Sequence, residues 1–189
     1  MMRPCSWGWC LVTLVACATA GLDVSTLPRL GADDRKLFDD GVDMVGDPDA
    51  MGGTWLAQWE SELSQRLEQS DIIVLGAFHT VRTTVDLDHH ATHRLIMKVE
   101  RAFFGELDDD LTLSSHHDAI GHEAIGRHRD QLLNGKFVAF VRRFRGEHDQ
   151  VELHFRLLPA SDSLMRRLDE HFESERANIK RIRVTQPAQ

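Results

Sequence analysis

At Asp71 the spacing of apolar residues changes from a helical to a strand period, and it stays strand-like to about residue 158. This switch restricts the fold more than any other feature of the chain. DIIVLGAF (71–78) is apolar on both faces, as a central strand is. Residues 92–104 alternate, with Leu95, Met97, Val99 and Phe103 on one face and Arg94, Lys98 and Glu100 on the other. Gly105 breaks the run, and Leu111 to Ser115 resumes it. KFVAFVRRF (136–144) follows the turn dipeptide Asn134-Gly135. VELHFRLL (151–158) turns Val151, Leu153, Phe155 and Leu157 inward and Glu152, His154 and Arg156 outward, and RGEHDQ forms the hairpin loop between the last two strands. Such a series with few intervening helices predicts a mainly β fold with flanking helices (α+β), built on a small five-stranded antiparallel barrel.

Helical periods flank the strands. Trp55, Trp59, Leu63 and Leu67 form one apolar stripe over residues 55–69, with Thr54 as the expected cap and Glu62 and Arg66 paired at i,i+4 on the outside. The stripe packs this helix onto the core; a two-tryptophan ligand platform is the alternative. Pro159 ends the sheet, and Ser161 or Asp162 caps a closing helix with Leu164, Leu168 and Phe172 on its inner face. Asp33 to Phe38 makes a short helical turn, and GDPDAMGG is a loop. Residues 33–189 therefore read as one folded unit: an acidic segment with its amphipathic helix (33–70), the barrel (71–158), and a C-terminal helix and tail (159–189). Acidic residues dominate from Asp23 to Asp71, whereas Arg166, Arg167, Arg176, Lys180, Arg181 and Arg183 enrich the tail. The two ends either attract each other across the fold or stay separately solvated.

The only cysteines are Cys5, Cys10 and Cys17. The last closes Leu14-Val15-Ala16-Cys17, a bacterial lipobox, behind a minimal positive start (Met1-Met2-Arg3) and an apolar run from Trp7 to Ala16. That run is shorter than the ~20 residues a membrane span requires, so residues 1–16 read as a lipoprotein signal peptide. Cys17 then carries the lipid, and residues 17–32, interrupted by Pro28, form a tether. Ala18 in place of aspartate after the cysteine favours the outer membrane in a Gram-negative host. Ala18-Thr19-Ala20 offers the alternative, cleavage at Ala20 and secretion. Either way the processed chain has no disulfide, and thiol catalysis and cysteine-ligated metals are excluded. About 170 residues must then fold on a hydrophobic core alone, burying roughly 70% of the unfolded surface.

The strand SDIIVLG, the long strand ending KVERAFFGEL, the short LTL strand and LLNGKFVAFV together resemble the oligonucleotide/oligosaccharide-binding (OB) barrel. The nearest flavour is the netrin-like and tissue-inhibitor-of-metalloproteinases branch, matched at Val74, Gly76, Val99, Gly105 and Gly135-Lys136-Phe137 over residues 71–158. Inhibitors of that branch present a free N-terminal cysteine amine and are braced by disulfides. Here Cys17 is expected to be acylated and no bracing cysteine exists, so the resemblance implies a fold and not an inhibitory mechanism. DDGVDMVGDPDAMGGTWLAQWESEL resembles uncharacterised lipoproteins of myxobacteria and their relatives, which brings no activity with it.

Eleven histidines make the one outlier in composition. His89, His90 and His93 precede one strand and His116 and His117 follow another, so the barrel brings the groups to one end. With Asp86, Asp88 or Asp118 they form a candidate zinc or copper site; solvated surface histidines and a pH sensor are the alternatives. His122-Glu123 opens like a zincin motif, but Gly126 stands where the second histidine is required. Asp47 and Asp49 open like a calcium loop, but Met51 and Gln58 break it, leaving an irregular calcium site at Asp39, Asp43, Asp47 and Asp49 as a remaining option. No nucleophile elbow, phosphate loop or dinucleotide fingerprint occurs. A net charge of −8 excludes nucleic acid as a partner and opposes general adhesion to anionic lipid. The expected protein is a non-enzymatic lipoprotein, held to the membrane by its anchor and binding a protein or envelope component without a cofactor. A histidine-rich zinc or copper lipoprotein and a hydrolase with an unrecognised site are the alternatives. Cys17→Ser is expected to move the protein from the membrane to the soluble fraction, and retention in the membrane fraction rejects the anchor.

Overall fold

The computed structural model describes residues 23–107 and 110–185; the lipobox, Cys17 and the start of the tether lie outside them. The elements are α1 (Asp34–Leu37), β1 (Gly41–Val42), α2 (Gly53–Gln69), β2 (Ile72–Val85), β3 (Ala91–Phe104), β4 (Asp110–His116), α3 (His122–Arg127), α4 (Arg129–Asn134), β5 (Lys136–Arg145), β6 (Val151–Pro159) and α5 (Asp162–Thr185). The strands join in one sheet of order β1-β6-β5-β2-β3-β4, antiparallel except for the β1–β6 pair. The fold is mainly β with helices, as the periods require.

Two features of the expected barrel are corrected. The sheet has six strands and not five, because β1 zips onto β6 at Gly41↔Arg156 and Val42↔Leu157. Two residues are too few to carry a period. The hydrogen-bonded sheet is also open: Cα atoms of β4 and β6 come within 8 Å, yet among the described residues no ladder joins them.

β2 curls the sheet by serving two partners. Its first half pairs with β5 (Ile72↔Val141 to Ala77↔Lys136), while its full length pairs with β3. Register shifts at Ile73/Val74, Leu75/Gly76 and Phe78/Thr80 mark bulges, which bend and twist a strand pair. Gly76 makes this approach possible, since a Cβ there would meet the Lys98 carbonyl oxygen at 2.3 Å. Curling divides the apolar residues between two cores. Val74, Phe78, Leu95, Met97, Leu113, Ala139 and Phe155 fill the concave side, closed by Ile125 of α3 and Leu132 of α4. Ile73, Phe103, Val138, Phe140 and Phe144 face the other way, under Trp59 and Leu63 of α2 and Leu164, Leu168 and Phe172 of α5. Phe103, expected on the face of Leu95, is the residue skipped between Ile73↔Phe104 and Val74↔Ala102, and it stacks on Phe172 instead.

The helix ends also differ from expectation. Gly52, at φ 64°, occupies the N-cap position of α2 and Thr54 lies inside the first turn. Ser161 accepts the Leu164 amide at the start of α5. The connection from β4 to β5 holds two six-residue helices, each too short to show a period. Asp49 binds Arg167 at 2.6 Å and Arg166 at 3.5 Å, so the acidic and basic ends do meet.

Arg66 is the largest departure. The expected pair with Glu62 forms at 2.9 Å, but Arg66 is only 2% exposed. Its Nε donates to the Leu37 carbonyl at 3.0 Å and so ties α2 to the end of α1. Burial lowers its pKa, against the pull of Glu62. Arg66→Ala strands the buried Leu37 carbonyl, an effect of about 1–3 kcal/mol before lost packing. Glu62→Ala is expected to cost less, because the Glu62 side chain is 35% exposed. Leu168→Ala, at a fully buried position, is expected to cost roughly 2–5 kcal/mol. Chemical denaturation of the three variants checks this ranking.

Candidate functional site

The seam left between β4 and β6 opens into a cleft of about 790 Å³. Thr112, Ser114 and His116 on the outer side of β4 form one wall, the β5–β6 hairpin with Glu152 and His154 another, and Arg29, Arg35, Asp39 and Asp40 the third. Ile120, 70% exposed, stands at the lip.

The wall at Asp40 is built from main-chain geometry. Phe38 is buried in the helix-covered core, and the chain must reverse at once to let β1 reach β6. Asp40 makes that reversal at φ 56°, a left-handed conformation uncommon outside glycine. The Asp40 amide donates to the Phe155 carbonyl at 2.9 Å, and the Phe155 amide donates to Asp40 Oδ1 at 3.0 Å. His154 Nδ1 lies 2.8 Å from Asp40 Oδ2. A carboxylate only accepts, so Nδ1 carries the proton. Beyond the turn, β1 and α3 are held together where Gly41 and Gly121 touch. A Cβ on Gly121 would come within 2.2 Å of Gly41 Cα, and the Gly121 amide donates to the Asp39 carbonyl at 2.8 Å.

Glu152, His154 and Arg156 point outward from β6 as expected, but the 39–43 segment covers His154 and Arg156. Asp39 pairs with Arg156, and Asp43 lies 3.9 Å from the same guanidinium. Burial raises the pKa of Asp40, and the bonds from His154 and Phe155 only partly oppose it. Burial alone lowers the pKa of His154, but the hydrogen bond and charge of Asp40 outweigh it, leaving the imidazole above its usual value. Its Nε2 is buried with no hydrogen-bond partner, and the nearest carboxylate oxygen, on Glu152, is 3.8 Å away. With no hydroxyl bonded to Nε2, this pair has the orienting half of a hydrolytic triad without the nucleophile.

The candidate metal ligands separate by strand alternation. His90 and His117 do meet, as stacked rings 3.9 Å apart and 1° from parallel. Asp86 Oδ2 lies 3.6 Å from His90 Nδ1, while Asp86 Oδ1 accepts the Asp88 and His90 amides in the turn. His93 pairs across the sheet with Ser115, and Thr92 pairs with His116, so His93 and His116 lie on opposite faces. His93 is 7% exposed, stacks on His122 at 4.1 Å and bonds Thr83 at 2.9 Å. His116 reaches the cleft, 3.3 Å from the Thr92 hydroxyl. His89, exposed at φ 64°, joins neither stack. Among the described residues no group of three or more His, Cys, Asp or Glu is placed to hold a metal. The four aspartates of the calcium option are also dispersed: Asp39 and Asp43 serve Arg156, Asp47 caps the Asp49 amide, and Asp49 serves Arg167.

Sequence reading missed the Asp40–His154 pair, whose members lie 114 positions apart. The only local signal was the Asp39-Asp40-Gly41 turn and the ionisable outer face of β6. No protein-family model matches this chain, and no curated protein matches it.

Buried His93 and partly buried His154 set opposite pH limits. The raised pKa of His154 makes its contribution complete below about pH 6.5 and lost as pH rises through the raised value. His154→Gln is therefore expected to flatten the alkaline side of a melting-temperature profile between pH 6 and 9. Burial, followed by the charge of His122, lowers the pKa of His93, so its contribution is lost as pH falls below 6.5. His93→Asn is expected to flatten the acid side of the same profile.

Proposed function

We propose that this chain is an exported lipoprotein, acylated at Cys17 and anchored in the outer membrane, that binds an envelope component without chemical turnover. The observation that carries the binding reading is the cleft of about 790 Å³ at the β4–β6 seam. Ligand sites are concave, largely preformed and of this size. Its lining combines exposed Ile120 with hydroxyl, imidazole and guanidinium groups. Anchoring rests on the lipobox. Among the described residues no helix is long and apolar enough to cross a membrane.

The strand order supports an OB-like barrel within the open sheet. In this reading β2–β6 are its five strands, α3 and α4 cap the concave core, and β1 is an added edge strand. The likeness to netrin-like domains then concerns fold only, because the inhibitory cysteine and its disulfides have no counterparts. Native mass spectrometry of the detergent-solubilised protein is expected to show a bound partner or ligand. Ala119→Trp, at the cleft wall, is expected to remove it without lowering the melting temperature. A wild type without adduct rejects the binding reading, and an adduct that survives Ala119→Trp rejects the cleft.

The His90–His117 stack beside Asp86 favours a second reading, zinc or copper handling at the tip of the β2–β3 hairpin. Zinc at a hundred times Kd is then expected to add about 2.7 kcal/mol of stability. The gain should vanish when His90 and His117 are both alanine, and an unmoved wild-type melting curve rejects the reading.

A further inference from the structure

α3 closes one end of the concave core and also holds a wall of the cleft. Its Ile125 is fully buried, and Gly121, just before the helix, touches Gly41 and donates its amide to the Asp39 carbonyl at 2.8 Å. Ala119 and Ile120 line the cleft itself. With six residues α3 is too short to persist alone, so its place rests on these contacts and on one pair of rings. That pair is His93 and His122. His93 stands between Thr83 of β2 and Ser115 of β4 in one cross-strand row, and is 7% exposed. The His122 ring stacks on it, with centroids 4.1 Å apart and 18° between the planes. His122 Nδ1 lies 3.1 Å from the Ser115 carbonyl, which only accepts, so that nitrogen carries the proton. His93 Nδ1 lies 2.9 Å from the Thr83 hydroxyl, while its Nε2 meets the main chain of α3, where a Cβ added at Gly126 would lie 3.2 Å away.

A neutral stack suits this place and a charged one does not. Among the described residues the histidines within ion-pair distance of a carboxylate are His79, His90, His154 and His171, so neither ring of this stack has a counter-ion. On α3, Glu123 faces Arg127 at 3.8 Å, and on α4, Arg129 donates to the Val81 carbonyl. Arg82 and Arg94 alternate to the opposite face of the sheet, and Asp118 on the preceding loop is exposed. Burial, and then the charge of His122, hold the His93 pKa below its usual value. Two imidazoliums at this separation also repel each other. We propose that the His93–His122 stack is an acid-released clamp: protonation of His93 parts the rings, α3 leaves the sheet, and the link from Gly121 to Asp39 opens. Protonated histidine clusters bias a two-position element in this way. β1 stays in place, because its ladder to β6 and the bonds of Asp40 to Phe155 and His154 do not involve α3. The clamp shapes the cleft independently of what binds there.

Hydrogen–deuterium exchange of the detergent-solubilised full chain at pH 7.5 and pH 5.0, corrected for the pH dependence of intrinsic exchange, tests the clamp. Protection of the amides of residues 121–128 is expected to fall at least tenfold at pH 5.0, while β5 and β6 keep theirs. In His93→Gln the ratio between the two pH values is expected to be near one. In His122→Gln, which removes the second charge, the ratio is expected to shrink. Taking the ratio within each variant cancels any general loss of stability caused by the substitution. Equal protection of 121–128 at both pH values in the wild type overturns the proposal. So does a loss shared by β5, which marks global unfolding, or a loss undiminished in either variant.

Discussion

The long strand β2 is the constraint on which the rest of the molecule depends. It is hydrogen-bonded to β3 throughout, but to β5 only over its first half. A strand shared unequally by two neighbours cannot stay in a flat sheet. The bulges at Gly76 and near Thr80 absorb the difference, and the sheet curls. Curling creates a concave core for α3 and α4 to close and a convex core for α2 and α5 to cover. It also brings β4 toward β6 without joining them, and the unjoined seam is the cleft.

A few buried polar contacts then fix the peripheral pieces. Arg66 holds the end of α1 through the Leu37 carbonyl. The strained residue Asp40 turns the chain immediately afterwards and docks β1 on β6 through the Phe155 main chain and the His154 ring. These groups add polar contacts to the burial of Leu37, Phe38 and Val42 in the two cores, and each has a specific partner. The wall of the cleft is thus positioned by hydrogen bonds, while its floor belongs to the sheet.

The periods located four of the five longer strands and the start of both long helices to within a few residues, because each buries one regular stripe or alternates across a sheet, whereas β2 runs seven residues past the expected 71–78 to Val85. β1, α3 and α4 escaped, since two or six residues complete too little of a period. The site was less legible. The convergence of the two histidine groups was anticipated and holds for His90 with His117. Strand parity, however, sends His93 inward and His116 outward, and parity depends on register. Nothing local marks Asp40 as the partner of His154 or Arg66 as buried, because the partners come from distant segments.

The sequence by itself determined that the chain is mainly β with two flanking helices, that the folded unit holds no cysteine for a disulfide, and most of the strand residues that turn inward, with Val151, 40% exposed, an exception. These properties are set by composition and by repeats of a few residues, which act locally. Only the tertiary structure decided that the sheet has six strands and remains open, that the Glu62–Arg66 pair has one member inside, and that Asp40 meets His154. Those outcomes depend on which residues become neighbours across long stretches of chain. Register, bulges and loop closure set that neighbourhood together, and none of them is written in any one segment.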